Sequence, residues 1–124
     1  MKELTKAEEQ IMQILWNIEN GFVKDIISEM NDPKPAYNTV STIVRILETK
    51  EFVSHEEFGK SHRYFPLVSK KEYTRFKMND MVHNYFGDSA KQLVSFFTSN
   101  KKLNLKETDE IIEMLEKLKK EQND

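Results

Sequence analysis

The residues best suited to chemistry lie in one stretch, Asn38 to Lys50, which reads NTVSTIVRILETK. Projected at 100° per residue, Val40, Ile43, Val44 and Leu47 fall on one side of a helix. Asn38, Ser41, Thr42, Arg45 and Thr49 fall on the other. These are short hydrogen-bonding groups around a guanidinium, the set that reads base edges in a DNA groove and not one that cleaves bonds. The chain carries 21 Asp and Glu, yet none lies between Asp32 and Glu48. An acid there would repel a phosphate backbone. Thr39 belongs to the same helix, and Tyr37 at its start is within reach of a phosphate or a base.

A second basic group follows in GKSHR, where Lys60, His62 and Arg63 are placed to hold backbone phosphates. His55 and His62 sit on the two arms of the same predicted hairpin, near Glu56 and Glu57. A zinc site wants a further ligand at fixed spacing, which the sequence does not display, so both histidines read as exposed side chains and no metal is expected. A regulator that binds metal through them is the minor alternative. His83 has no nucleophile or orienting carboxylate at an evident spacing, and no P-loop, Rossmann glycines, G-x-S-x-G or H-E-x-x-H occurs. No enzyme activity and no cofactor are expected. With no cysteine among 124 residues, disulfides and thiolate metal sites are excluded.

The elements that must position these groups follow from periodicity. Thr5 and Glu8 form a T-x-x-E capping box opening a first helix to about Ile18, with Gly21 as its expected C-terminal glycine. A shorter helix spans about Val23 to Met30 before Pro33 and Pro35 break the chain. The third helix starts near Ala36. FVSHEEF and RYFPLV are β-rich runs around GKSH, with Gly59 available for positive φ. Ser69 and Glu72 open a helix that Gly87 stops near Phe86. DSAKQLVSFFTSN and the segment after NLKE supply two more.

Three short helices followed by a two-stranded hairpin give the order of a winged helix-turn-helix. The expected fold is mostly α with a small β-hairpin wing. Residues 1–68 form a winged-helix DNA-binding domain, and residues 69–124 form a helical dimerisation region. Leu93, Val94, Phe96, Phe97, Ile111, Ile112, Leu115 and Leu118 line the two last helices and are the expected dimer interface. A net charge of −2 argues against indiscriminate nucleic-acid binding but not against a locally basic face. The competing reading is a winged-helix protein-interaction module that never touches DNA. MKELTKAEEQ contains no apolar signal core, and no apolar run nears the ~20 residues of a membrane span. No direct membrane insertion is expected, and the location expected is cytoplasmic.

TVSTIVRILETKEFV resembles the T-V/I-x-T-x-x-x-x-L-x-x-K-G-x-[LV] segment of the penicillinase-repressor family, the BlaI, MecI and CopY regulators. AEEQIMQILW resembles its A-E-x-x-V-M-x-x-[IL]-W opening, and GKSHRYFP its wing. The resemblance implies a homodimeric transcriptional repressor whose winged helix binds a half-site of a palindromic double-stranded DNA operator. Thr39 and Thr42 match the two threonines of the family's recognition helix, and Arg63 lies where its wing is basic. Asn38 stands where a lysine is frequent, and Glu51 where glycine is usual. The copper branch uses C-terminal cysteines, which are absent, so the β-lactam branch is nearer. That branch implies a membrane sensor-protease as partner and cleavage of the repressor at an Asn-Phe bond. The corresponding stretch is VSFFTSN, which offers Ser95-Phe96 or Phe96-Phe97 instead.

Overall fold

The computed structural model describes residues 1–100 and 103–123. It divides into two compact units, Met1–Met78 and Asn79–Asp124. The elements are α1 (Lys6–Ile18), α2 (Val23–Ser28), α3 (Tyr37–Thr49), β1 (Val53–Phe58), β2 (Ser61–Pro66), α4 (Lys70–Phe86), α5 (Ala90–Ser99) and α6 (Leu105–Gln122). The expected mostly helical fold with one hairpin is what forms. Among the described residues, no helix is long and apolar enough to cross a membrane.

In the first unit, α1 begins at the expected capping box. Glu8 N–H donates to Thr5 Oγ1 at 3.2 Å, and Thr5 N–H donates to Glu8 Oε1 at 2.8 Å. Ile11, Met12 and Leu15 of α1 pack with Ile26 of α2 and with Val40, Val44 and Leu47 of α3. Phe52, Val53 and Tyr64 close this core from the hairpin side. The start of α4 also belongs to it. Leu4 N–H donates to the buried Tyr73 hydroxyl at 2.9 Å, and Trp16 Nε1 donates to the Val68 carbonyl at 2.9 Å.

Two local expectations are corrected. Helix α2 ends at Ser28, short of Met30, and the Lys34 ammonium covers the freed Ser28 and Met30 carbonyls. Gly21 does not cap α1. Glu19 takes that place with φ of 74°, and Gly21 instead pairs with β2. Its N–H donates to the Tyr64 carbonyl at 2.9 Å, and its carbonyl accepts from Tyr64 N–H at 2.8 Å. A Cβ at Gly21 would lie 2.9 Å from Ile18 Cδ1 and 3.2 Å from Asp25 Cβ, so close approach explains the glycine.

Helix α3 ends in a Schellman arrangement. Phe52 N–H donates to the Leu47 carbonyl at 2.9 Å, and Glu51 N–H donates to the Glu48 carbonyl at 3.0 Å. Both Phe52 and Leu47 are buried, completing the apolar contact that accompanies this motif. The residue after the helix cap is therefore left-handed, and it is Glu51, with φ of 65°. A side chain there costs about 1 kcal/mol that glycine would not. Glu51→Gly is expected to raise stability by about 0.5–1 kcal/mol, read as a higher denaturant midpoint at unchanged slope. A midpoint that stays or falls would mean that the Glu51 side chain stabilises the turn in its own right.

Glu8 does more than cap. Its carboxylate is buried and receives the Lys50 ammonium at 2.8 Å, tying the start of α1 to the end of α3. Burial alone would raise the Glu8 pKa, but the Lys50 and Thr5 hydrogen bonds outweigh it and hold the group below its ordinary 4.5. A depressed folded-state pKa stabilises above the unfolded value and is lost as pH falls through the folded one. Stability should therefore drop on acidification below about pH 4.5. Glu8→Gln should cost about 2 kcal/mol at pH 7 and flatten that acid limb in melts from pH 7 to pH 3.

In the second unit, Ser89 caps α5 and Asn104 caps α6 through side-chain oxygens, as their positions suggest. Gly87 ends α4 at φ of 56°. Phe86 and Phe96 pack with ring centroids 5.6 Å apart. No described residue of α5 or α6 is buried. Val94, Phe96, Phe97, Ile112, Leu115 and Leu118 are exposed, and Leu93 and Ile111 are half-buried.

Candidate nucleic-acid interface

Helix α3 turns Val40, Val44 and Leu47 into the core, which leaves Asn38, Thr39, Thr42, Arg45, Ile46 and Thr49 exposed. The Thr42 and Thr49 hydroxyls donate to the Asn38 and Arg45 carbonyls at 2.8 and 3.1 Å. Their oxygens remain free to accept, and the exposed Ile46 beside them gives this face an apolar contact suited to thymine methyls. Ser41 departs from the helical projection. It is only 8% exposed, because it faces the groove between α3 and the hairpin instead of the outer surface.

That groove has a volume of about 330 Å³. Lys24, Arg45 and Lys60 bring three cations to it, with His62 and the hydroxyls of Tyr37, Ser41, Ser61 and Tyr64. No carboxylate is among its lining residues. Burial raises the Tyr64 phenol above its ordinary pKa, and the nearby Glu48 carboxylate pushes the same way while Arg45 opposes. Tyr64 therefore stays a neutral hydrogen-bonding group at physiological pH. Lys24, in the first turn of α2, is a groove residue that periodicity did not single out. The exposed Ile46 is another, hidden by its apolar type.

The hairpin register sorts the wing residues. Glu56 faces Arg63, Glu57 faces His62, and His55 faces Tyr64. Gly59, at φ of 62°, and Lys60 make the two-residue turn. Alternation along β2 then sends His62 and Tyr64 to one face and Arg63 to the other. Arg63 is bound to Glu56 at 3.2 Å and lies over the Phe58 ring, 4.6 Å from its centroid. The structure thus gathers Tyr37, Ser41, Arg45, Lys60 and His62 at one groove, and Asn38, Thr39 and Thr42 on the adjoining outer face of α3. It leaves Arg63 on the far face, engaged by an acid.

The Penicillinase repressor family profile matches residues 4–117. The chain belongs to the penicillinase repressor family. This is a family of transcriptional repressors and not of enzymes. The chain is 24% identical to the Staphylococcus aureus penicillinase repressor over 119 residues, covering 95% of this chain and 94% of that one. It is 23% identical to the methicillin resistance regulatory protein MecI of Staphylococcus aureus strain N315, covering 93% and 94%. Its fold is similar to the solution structure of the DNA-binding domain of the repressor BlaI. There the TM-score is 0.50 at 22% identity, over 59% of this chain and 94% of that domain. The resemblance in TVSTIVRILETKEFV and AEEQIMQILW is thus a family relation that extends over nearly the whole chain.

Proposed function

We propose that this penicillinase repressor family member acts as a homodimer on a palindromic double-stranded DNA operator. Asn38, Thr39, Thr42 and Arg45 of α3 read the major groove, which admits one helix. Tyr37, Ser41, Lys60 and His62 hold the flanking backbone, joined by Lys24. Arg63 reaches phosphate only by leaving Glu56. The observation that carries this reading is the groove of three cations without a lining carboxylate, beside a recognition helix that holds no acid before Glu48 in its last turn. In a chain of net charge −2, such a local concentration needs a polyanionic partner to explain it. Residues 1–68 supply the DNA-binding part. Residues 69–124 pair two chains through Leu93, Val94, Phe96, Phe97, Ile111, Ile112, Leu115 and Leu118.

Release by a membrane sensor-protease is the route the family relation favours. Ser95-Phe96 and Phe96-Phe97 on the exposed α5 are then the bonds in the matching stretch.

The test is binding of the full chain to duplex from upstream of its own gene against random duplex, across a salt series. Selective binding that weakens steeply with salt is the expected result. Equal, weak binding to both, followed by a random-sequence selection that enriches no motif, would favour a protein-interaction role. Lys60→Ala should weaken all duplexes alike and lower the salt slope by about one. A sequence-selective loss would contradict the phosphate role of Lys60.

A further inference from the structure

The wing face turned toward α3 carries His55, Glu57 and His62, one ligand atom of each lying within 4.8 Å of the others. The two imidazole rings are stacked, with centroids 4.1 Å apart and planes 6° from parallel. Glu57 Oε1 lies 3.9 Å from His55 Nε2 and 4.0 Å from His62 Nε2. On the other side of the ring, His55 Nδ1 hydrogen-bonds to Glu48 Oε2, from the last turn of α3. A carboxylate accepts, so Nδ1 is the donor in that bond, and in the neutral ring Nε2 is then the nitrogen free to ligate. His55 Nε2, His62 Nε2 and the Glu57 carboxylate thus converge on one place, with Glu48 behind the His55 ring.

We propose that His55 Nε2, His62 Nε2 and Glu57 form a binding site for a divalent transition metal of the zinc class. Two imidazoles and one carboxylate are the donor set of open three-ligand zinc sites, with water as the fourth ligand. Nitrogen donors select against magnesium and calcium. A tetrahedral ion with bonds of about 2.0–2.2 Å sets its donors about 3.3–3.5 Å apart. Reaching that geometry takes a swing of the exposed Glu57, which closes the 3.9 and 4.0 Å gaps, and a tilt of the stacked His55 and His62 rings that turns both Nε2 lone pairs toward one point. Glu48 supplies the carboxylate that fixes the tautomer of a ligating histidine. The ion brings the summed charge of Glu48 and Glu57, −2 with neutral imidazoles, to zero. It also joins β1 to β2, and the His55–Glu48 hydrogen bond links that pair to the end of α3.

Titration of the full chain with zinc chloride at pH 7.5, followed by calorimetry and by histidine ring NMR, tests the site. One zinc per chain is expected. The ring signals of His55 and His62 should shift while those of His83, paired with Asp88 in the second unit, stay. His62→Gln and Glu57→Gln should each weaken binding at least tenfold. Glu48→Gln should weaken it about 10–100-fold. Far-ultraviolet circular dichroism melts check that each variant folds. Absence of zinc binding by the native chain would overturn the proposal. So would binding that survives His62→Gln and is lost in His83→Gln.

Discussion

Arg45→Glu is expected to lower operator affinity at least a hundredfold and to leave the fold intact. Arg45 is exposed at the junction of the outer face of α3 and the cationic groove, so its replacement opens no cavity. Stability should move by no more than about 0.5 kcal/mol. Affinity is another matter. Loss of one good arginine contact in a groove costs about 1–3 kcal/mol. A carboxylate beside phosphates then adds repulsion in a segment that otherwise holds no acid from Pro33 to Leu47. Together these exceed about 2.8 kcal/mol, or two powers of ten. Arg75→Glu, exposed on α4, is the control, because it changes net charge by the same amount away from the groove. Mobility shifts at fixed salt with both variants decide the matter. Equal losses would reduce the effect to overall charge and remove Arg45 from the interface.

What could be foreseen divides along the range of the interactions. Thr5 with Glu8, Ser69 with Glu72, and Asn104 with Glu107 act over one helical turn, so their pattern in the chain is their geometry. The wing was legible for a similar reason, since Gly59 marks a turn between two β-rich runs, but the expected GKSH break shrinks to Gly59 and Lys60 because Ser61 and His62 pair with Phe58 and Glu57 in the ladder. The register that this shorter turn sets places His55, Glu57 and His62 on one face of the hairpin. Ser41 could not be judged from its helix alone. The projection sets it on the polar side, and only the packing of the hairpin against α3 encloses it. Gly21 is the same case, for its partner Tyr64 belongs to a strand far along the chain. Glu48 beside His55, Lys24 at the groove and Arg63 turned onto Glu56 are likewise facts of tertiary placement. Glu51 shows the opposite strain. Its residue type argues against a left-handed turn, yet the Schellman bonds and the Leu47–Phe52 contact hold it there.

Leu115→Glu combined with Leu118→Glu should convert the proposed dimer to a monomer and reduce operator affinity by about 10²–10⁴-fold. Both leucines are exposed on α6, and glutamate is a good helix former, so the helix itself should persist. What is lost is an apolar face that a single chain leaves in water, now charged on both sides of the two-fold. Sedimentation velocity gives the oligomeric state, and mobility shifts on a whole operator and on a half-site give the affinities. The whole-operator affinity should collapse toward the half-site value, which itself should barely change. An unchanged sedimentation coefficient would move the interface off this face, and a monomer that keeps native affinity would deny that two half-sites act together. The two variants also test each other. In a two-fold dimer every substitution occurs twice on one operator, so Arg45→Glu should cost about twice as many kcal/mol in the dimer as in the Leu115→Glu, Leu118→Glu monomer. Equal costs in both backgrounds would mean that only one wing-and-helix pair contacts the DNA, whatever the oligomeric state.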